Sequence, residues 1–373
     1  MKHVPMIGAL ALAASLTFVV PSPAVADAYD NPPIGGALLG GRGVIVDQTA
    51  RKLPKTEASA FVVADADTGE VLAAKNPHGR FLPASTLKAL TALTLIPKLD
   101  RKKMVKPSQD ACNQEGSAVG LTPRKIYTVD DLFRALMMVS GNDAAVALAE
   151  ANGGLPKTLA DMNAEARRIQ AMDTVAKTPN GLDKPGQSSS AYDLALIARA
   201  GLADPAFRKY VGTKVADFPA PKGHYQIANH NRLLGRYPGM LGVKNGWTSK
   251  ALGSFIGAAR RDGHTIIVTV MRHEGSFWPE VQDLLDWGFA ARGRTAAVGT
   301  LVGPIPAAKP TRPVGGPPTP APAVSRPADA AGESSSAGAA GVAVIGVAAL
   351  GGLAWLGYGL RRRRSRGRGS AQV

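Results

Sequence analysis

The sequence predicts an α/β (α+β) fold, with one antiparallel sheet built from both chain ends and a helical part inserted between them. Three observations predict it. Two β-rich runs joined by a turn open the foldable region, the middle reads as helices, and three more β-rich runs close it.

Taken in order, residues 60–64 and 71–74 flank Asp65-Ala66-Asp67-Thr68-Gly69, a hairpin signal. A helix is predicted over 85–96 and is stopped by Pro97. Thr128 followed by Asp131 resembles a capping box ahead of a helix over 132–139. Further helices are predicted over 143–151, 159–170, 191–202 and 279–291. Residues 239–244, 252–260 and 265–271 read as strands, and Arg261-Asp262-Gly263 joins the last two as a tight turn. No internal repeat interrupts this order.

The chain has 373 residues, 45% of them hydrophobic and 19% charged, which is enough apolar material for a sizeable core and excludes disorder throughout. Cys112 is the only cysteine, so a disulfide scaffold, thiolate zinc sites and Cys-x-x-Cys redox chemistry are excluded. Of the net charge of +16, seven positive charges sit at Lys2, Arg361 to Arg364, Arg366 and Arg368, leaving +9 between them. That excess suits anionic polymers or acidic substrates. No stripe of interleaved aromatic and basic residues supports nucleic-acid binding.

Two segments read as addresses rather than fold. Lys2 and His3, the apolar run 7–20 and the exit Ala24-Val25-Ala26 predict a secretory signal over 1–26, cleaved after Ala26. Residues 337–360 are 24 positions without a formal charge. As a helix at ~1.5 Å per residue they reach ~36 Å, enough for a hydrocarbon layer of ~30 Å. The arginine cluster over 361–373 follows and predicts a basic cytoplasmic tail, with the rest of the chain outside the cell. Residues 302–336 hold nine prolines among Ala, Ser and Gly and read as an extended stalk. Residues 27–56, rich in Gly and Pro, read as a linker, which leaves one folded domain over 57–301.

Three short motifs carry chemistry. Ser85-Thr86-Leu87-Lys88 opens a predicted helix, where unpaired backbone N–H groups stabilise developing negative charge. A serine hydroxyl becomes a nucleophile when a base takes its proton, and a lysine does so once burial or a second cation depresses its pKa. Alone, Ser-x-x-Lys is expected about once by chance in this length and fits a capped helix with a solvated lysine equally well. Ser140-Gly141-Asn142 lies in a break between two helices, suited to relaying a proton and holding an amide, or to an ordinary inter-helix link. Lys244-Asn245-Gly246 ends a predicted strand, where an ammonium can meet a carboxylate, although Asn-Gly is also a plain turn signal.

Ser-x-x-Lys, Ser-x-Asn and Lys-x-Gly in this order form the motif set of penicillin-interacting serine enzymes. Pro83-Ala84-Ser85-Thr86-Leu87-Lys88, Ser140-Gly141-Asn142-Asp143-Ala144-Ala145 and Asn180-Gly181-Leu182 resemble the serine-type D-alanyl-D-alanine carboxypeptidases, the low-molecular-mass penicillin-binding proteins. Asp65-x-x-Thr68-Gly69 and Asn229-His230-Asn231-x-Leu233-Leu234 add to the likeness, which covers residues 58–272.

The resemblance implies a β-lactamase/transpeptidase-like fold, removal of the terminal D-Ala from peptidoglycan stem peptides, covalent inhibition by β-lactams, and no metal or organic cofactor. It implies Ser85 as the nucleophile, Lys88 as general base and Ser140 as the second catalytic hydroxyl. Asn142 would orient the substrate, Lys244 would bind its carboxylate, and Asn245, Gly246 and Trp247 would line the substrate site. The backbone N–H groups of Ser85 and Trp247 would form the oxyanion hole. The family's third motif usually carries Thr or Ser where this chain has Asn245, and many members carry a C-terminal β-rich domain where this chain reads as stalk.

Two other readings compete. A β-lactamase of the same fold needs a Glu-held water in a loop, but Glu150 and Glu165 fall in predicted helices. A non-catalytic wall-binding or adhesion protein fits the stalk but not the intact Ser85, Lys88, Ser140 and Lys244 set. The six histidines show no metal-ligand spacing, His224 and His230 read as surface or core filling, and Cys112 as an inert thiol. Trp278 and Trp287 read as core.

Overall fold

The structure, a computed structural model, describes residues 32–306. Chain order begins with β1 (Val44–Val46), β2 (Ala60–Asp65) and β3 (Glu70–Lys75), then a 3₁₀ turn, Ala84–Leu87, that runs into α1 (Lys88–Leu95). The helical part holds β4 (Met104–Val105), α2 (Gln109–Cys112), β5 (Tyr127–Thr128), α3 (Val129–Met138), α4 (Asn142–Ala151), α5 (Leu155–Arg168), α6 (Ala191–Ala203) and α7 (Pro205–Gly212). After the hairpin β6 (Val215–Pro219) and β7 (His224–Ala228) come β8 (Met240–Thr248), β9 (Leu252–Arg261), β10 (His264–His273), α8 (Trp278–Ala291) and β11 (Gly299–Thr300).

The main sheet runs β1-β3-β2-β10-β9-β8, with β11 also on β3. Its pairings are antiparallel, and the central one joins the two chain ends, Asp65 opposite Ile266 and Ala60 opposite Met271. The sheet is covered on both faces. Alternate residues of β2 divide between them: Ala60, Val62 and Ala64 join the core under the helices, whereas Phe61 and Val63 pack with Val281, Leu284 and Leu285 of α8. Burial on both faces is why β2 reads as an unbroken apolar run rather than an alternating one.

Helix α1 lies inside the helical body, where α3, α5 and α6 surround it. Every residue from Lys88 to Leu95 is buried, and a helix enclosed on all sides needs apolar or small residues all round. Lys88 is the exception that the site exploits. The predicted capping box at Thr128 and Asp131 is formed in both directions and fixes the start of α3.

Several boundaries differ from the sequence reading. The segment expected to be linker up to residue 56 belongs to the folded body over its described part: β1 pairs with β3, Leu39 is fully buried, and Trp287 Nε1 donates to the Arg51 carbonyl at 2.9 Å. At the other end, Ile305 N donates to the Arg168 carbonyl at 2.8 Å, past the expected limit of 301. These stretches lack side-chain periodicity because backbone groups hold them. Helix α7 and the β6–β7 hairpin were not anticipated; both are short, and the hairpin is exposed on most positions. The expected signal over 1–26 lies outside the described residues, as do nearly all of the stalk and the whole of the span over 337–360 and the tail over 361–373. Among the described residues no helix is long and apolar enough to cross a membrane.

Among the described residues one cluster, His78, Asp173 and Asp193, brings three potential metal ligands together. Hydrogen bonds already occupy it. His78 Nδ1 meets Asp173 at 2.8 Å and Nε2 meets the Ile34 carbonyl at 3.0 Å, so both ring nitrogens face acceptors and the imidazolium satisfies both. Burial opposes that charge, but the Asp173 hydrogen bond and charge outweigh it and raise the His78 pKa. Burial and the neighbouring Asp173 charge push the Asp193 carboxyl up to about 7. Both groups bind protons more tightly when folded, so the stability tied to them is complete at low pH. It is lost as pH rises toward their folded pKa values, which for Asp193 is a window between its ordinary value and about 7. Asp193→Asn removes that titration. The fall in Tm between pH 5 and 7.5 should be smaller in the variant than in the parent by about 2–4 °C. Thermal melts at the two pH values test it, and an unchanged difference would overturn the assignment.

Candidate active site

Ala84 enters the 3₁₀ turn with φ +50°, a left-handed value rare outside glycine and common where a fold holds a functional backbone under strain. Ser85 was expected to open an α-helix; instead it sits in the 3₁₀ turn, and α1 begins at Lys88. The tighter turn matters, because residues three apart eclipse in a 3₁₀ helix. Lys88 Nζ therefore lies 2.9 Å from Ser85 Oγ.

Two other partners fix that amine. Nζ donates to Asn142 Oδ1 at 2.7 Å and to the Asn180 carbonyl at 2.6 Å. Both are pure acceptors, whereas the Ser85 hydroxyl can accept or donate. A neutral Lys88 has two N–H bonds and one lone pair. Two carbonyl acceptors take the N–H bonds, and the lone pair is left facing the Ser85 hydroxyl. The pKa agrees with this state: Lys88 is 0% exposed, and burial first, then the Lys244 charge, hold it well below the ordinary lysine value against the opposing charge of Asp143.

Strand β8 forms the sheet edge beside the serine, and its outward backbone groups lack a strand partner. The sequence placed Lys244-Asn245-Gly246 at a strand end, but β8 continues to Thr248, and the Asn-Gly pair lies in the ladder opposite Phe255 and Ser254. Pairing with β9 overrides the turn propensity of that dipeptide. Lys244 is 1% exposed, and burial lowers its pKa to about 7; its Nζ donates to the Asn245 carbonyl at 2.6 Å.

Close approach explains two glycines. A Cβ on Gly246 would lie 2.6 Å from the Ser85 backbone nitrogen and 2.9 Å from that of Thr86, so only glycine lets β8 pass the nucleophile's turn. A Cβ on Gly181, at φ +84°, would lie 1.9 Å from the Ala84 carbonyl oxygen. The loop carrying Asn180 is thereby pressed against the same turn from the other side.

The second motif departs from the expectation. Asn142 was expected to orient substrate, yet it is buried with both amide ends engaged: Oδ1 by Lys88, and Nδ2 by the Glu115 carbonyl at 2.5 Å. Its geometry is that of a holder of Lys88. Ser140 adopts φ +62° between α3 and α4, and its Oγ is buried without a hydrogen-bond partner among the described residues. A buried hydroxyl left unpaired costs ~1–3 kcal/mol and is retained where something else uses it.

A cleft of about 600 Å³ adjoins Gly246, lined by Asn245, Trp247, His230, Arg232, Phe277 and Trp278 among others. Trp247 is 66% exposed there. The sequence reading treated His230 and Trp278 as filling. His230 instead lies at the cleft rim, and partial burial and the Lys244 charge lower its pKa; Trp278 is half-buried on the cleft wall, while Trp287 is core as expected. The signal for His230 was available in the Asn229-His230-Asn231 run. Glu150 bonds Ser108 and Glu165 pairs with Arg168 at 2.7 Å, so both carboxylates are occupied by side chains of the helical body.

A nucleophile facing a neutral amine, a second buried cation and an edge strand against the serine's backbone together suit acyl transfer at a carbonyl next to a carboxylate. Gly246→Ala forces β8 off the Ser85 turn. Covalent penicillin uptake should slow by about 10²-fold, the usual effect of losing one oxyanion donor. A stopped-flow or gel-based acylation assay measures this, and a rate within threefold of the parent would contradict the close-packing account.

Comparison with known proteins accords with this geometry. A curated relative from Mycobacterium tuberculosis, D-alanyl-D-alanine carboxypeptidase DacB2, is 41% identical over 256 residues, 67% of this chain and 88% of that protein. D-alanyl-D-alanine carboxypeptidase DacF of Bacillus subtilis is 33% identical over 63% of this chain and 62% of its own length. Among solved structures, a D-alanyl-D-alanine carboxypeptidase from Mycobacterium tuberculosis H37Rv aligns with TM-score 0.67 at 38% identity, covering 69% of this chain and 99% of that one. The Streptomyces K15 DD-transpeptidase aligns with TM-score 0.61 at 26% identity, covering 64% of this chain and 100% of that one. The peptidase S11 profile, described as D-alanyl-D-alanine carboxypeptidase, matches residues 47–275, and the chain belongs to that family.

Proposed function

We propose that this protein is a serine-type D-alanyl-D-alanine carboxypeptidase that removes the terminal D-Ala from peptidoglycan stem pentapeptides. The observation that carries the reading is the buried Lys88 amine, its two N–H bonds spent on Asn142 and Asn180 and its third position facing Ser85 Oγ. Lys88 takes the Ser85 proton as Oγ adds to the penultimate D-Ala carbonyl. The oxyanion forms beside the Ser85 backbone N–H and the β8 edge at Trp247, where fixed dipoles meet new charge without reorganising. Collapse breaks the amide C–N bond. Ser140, whose hydroxyl has no partner of its own, passes a proton to the departing D-alanine amine. Water then adds to the ester, gives its proton to Lys88, and releases the shortened peptide and the Ser85 hydroxyl.

Lys244 supplies the charge for the substrate's terminal carboxylate, and Asn245 on the cleft wall supplies a neutral hydrogen bond. The two ammonium groups share the work unequally. Lys88 must lose its proton and Lys244 must keep one, and the repulsion between them favours a single proton in the site. β-Lactams present an acyl group next to a carboxylate and are expected to acylate Ser85 by the same route.

Release of D-alanine from a pentapeptide and fluorescent-penicillin labelling test the assignment. Ser85→Ala should abolish both. Lys244→Ala should cost well over tenfold in kcat/KM, since it leaves a carboxylate without its countercharge, and Asn245→Ala about tenfold, the worth of a neutral hydrogen bond. Asn245→Thr should keep activity. Covalent label persisting in Ser85→Ala would refute the mechanism.

We further propose that the enzyme is exported and tethered by a single C-terminal span, with its catalytic domain outside and its C-terminus in the cytoplasm. The basic start and Ala-x-Ala exit over 1–26, the proline-rich run over 302–336 and the charge-free run over 337–360 followed by six arginines support this arrangement. A reporter fused after Val373 should be cytoplasmic, and external protease should release the active domain by cutting the stalk. A reporter found outside the cell would overturn the topology.

A further inference from the structure

Asp143 is 0% exposed and, among the described residues, forms no ion pair. Its carboxylate accepts a fan of backbone N–H groups instead: Val119 at 3.1 Å, Gly120 at 2.9 Å, Leu121 at 3.0 Å and Ala144 at 2.8 Å. Three of these donors belong to one loop, 113–126, which connects α2 to β5. An ionised carboxylate is the one side chain able to satisfy so many converging donors, because its two oxygens offer about four lone pairs.

The same loop holds both acceptors of Lys88. Its Glu115 carbonyl accepts from Asn142 Nδ2 at 2.5 Å, and its Ser117 carbonyl accepts from the Asn142 backbone N–H at 2.7 Å. Gln114 Oε1 accepts from Asn180 Nδ2 at 3.3 Å. Asn142 Oδ1 and the Asn180 carbonyl are the two groups that leave the Lys88 lone pair facing Ser85. Asp143 therefore sits at the far end of a short chain of hydrogen bonds: carboxylate, loop backbone, two asparagines, amine. Tyr225 on β7 ties the loop from outside by donating its hydroxyl to the Val119 carbonyl.

We propose that Asp143 is a positioning residue for acylation: it gathers the 113–126 loop so that Asn142 and Asn180 hold the Lys88 amine against the Ser85 hydroxyl. The proposal rests on the carboxypeptidase reading. It also assigns the carboxylate a second effect, through charge. The titratable groups near Asp143 are Lys88, Tyr225 and Cys112, and Lys244 faces Lys88 from β8. Asp143 is the negative charge that offsets burial and Lys244 at Lys88, so removing it favours the neutral amine.

The test uses the full chain with Asp143→Asn and, separately, Tyr225→Phe. Asp143→Asn keeps the shape and one acceptor oxygen but loses the charge. Its acylation rate with penicillin and its kcat on a pentapeptide should fall roughly 10- to 100-fold with KM within about threefold, because orientation rather than binding is lost. The acid limb of log kcat/KM against pH, which reports the base of the free enzyme, should move to lower pH by at least about half a unit. Tyr225→Phe loosens the loop without changing charge, so it should lower kcat by a few-fold and leave the acid limb in place.

Parent-like kcat and pH profile in Asp143→Asn would overturn the proposal. So would a loss of rate with an unmoved acid limb, which is the outcome of a merely structural carboxylate. An Asp143→Asn chain whose Tm falls to the assay temperature leaves Tyr225→Phe to decide, and parent kcat there refutes the loop's role. Failure of the carboxypeptidase reading is distinguishable, because then the unmutated chain itself releases no D-alanine and takes up no label.

Discussion

One lysine buried in the middle of a helix-wrapped core is the constraint on which the site depends. Helix α1 is enclosed along its whole length, so the Lys88 ammonium cannot reach water by extending its side chain. An isolated ammonium in such a place costs several kcal/mol, and the chemistry of the site follows from the ways that cost is relieved. Part is relieved by hydrogen bonds to Asn142, Asn180 and Ser85, and the rest by giving up the proton. A base is obtained by making its conjugate acid uncomfortable. The second buried cation, Lys244, adds to that discomfort while keeping its own role at the carboxylate end of the site.

The surrounding architecture serves to bring four separate pieces of chain to that amine. The 3₁₀ turn carries Ser85, the α3–α4 break carries Ser140 and Asn142, a loop before α6 carries Asn180, and the edge strand β8 carries Lys244. None is near another in sequence beyond its own motif. Glycines at 181 and 246 let two of the pieces come within contact of the Ser85 turn, and the positive φ values at Ala84 and Ser140 mark where the backbone is bent to meet them. Binding sites of this kind are held by strain that the packed core around them sustains.

Much of this was legible in the sequence because the informative signals are local. The hairpin at Asp65 to Gly69, the capping box at Thr128 and Asp131 and the turn at Asp262-Gly263 each depend on a few neighbouring residues, and each is present. The motif set likewise identifies Ser85, Lys88, Ser140 and Lys244 through order and spacing. What the sequence hides is whatever depends on contacts between distant segments. The start of the fold at β1 is stabilised by backbone pairing with β3, which leaves no apolar pattern. Asn245-Gly246 reads as a turn until the partner strand β9 is in place. The engagement of Asn142 with Lys88 and Glu115, and the position of His230 and Trp278 on the cleft, are likewise properties of tertiary packing.

The pairing of β2 with β10 carries a consequence for how the molecule comes to exist. Asp65 and Ile266 are neighbours in the sheet although most of the folded chain separates them, and β8, which presses on the nucleophile's turn, is itself anchored only through β9 to β10. Contacts of such long sequence separation must close a large loop before they return any stabilisation, and they form slowly. Ser85 and Lys88 are therefore made early but stand without their cation and edge strand until the last third of the domain has been synthesised. A nascent or truncated chain ending before residue 273 holds the nucleophile motif without an active site, so the reactive serine is not armed in incomplete copies of the enzyme.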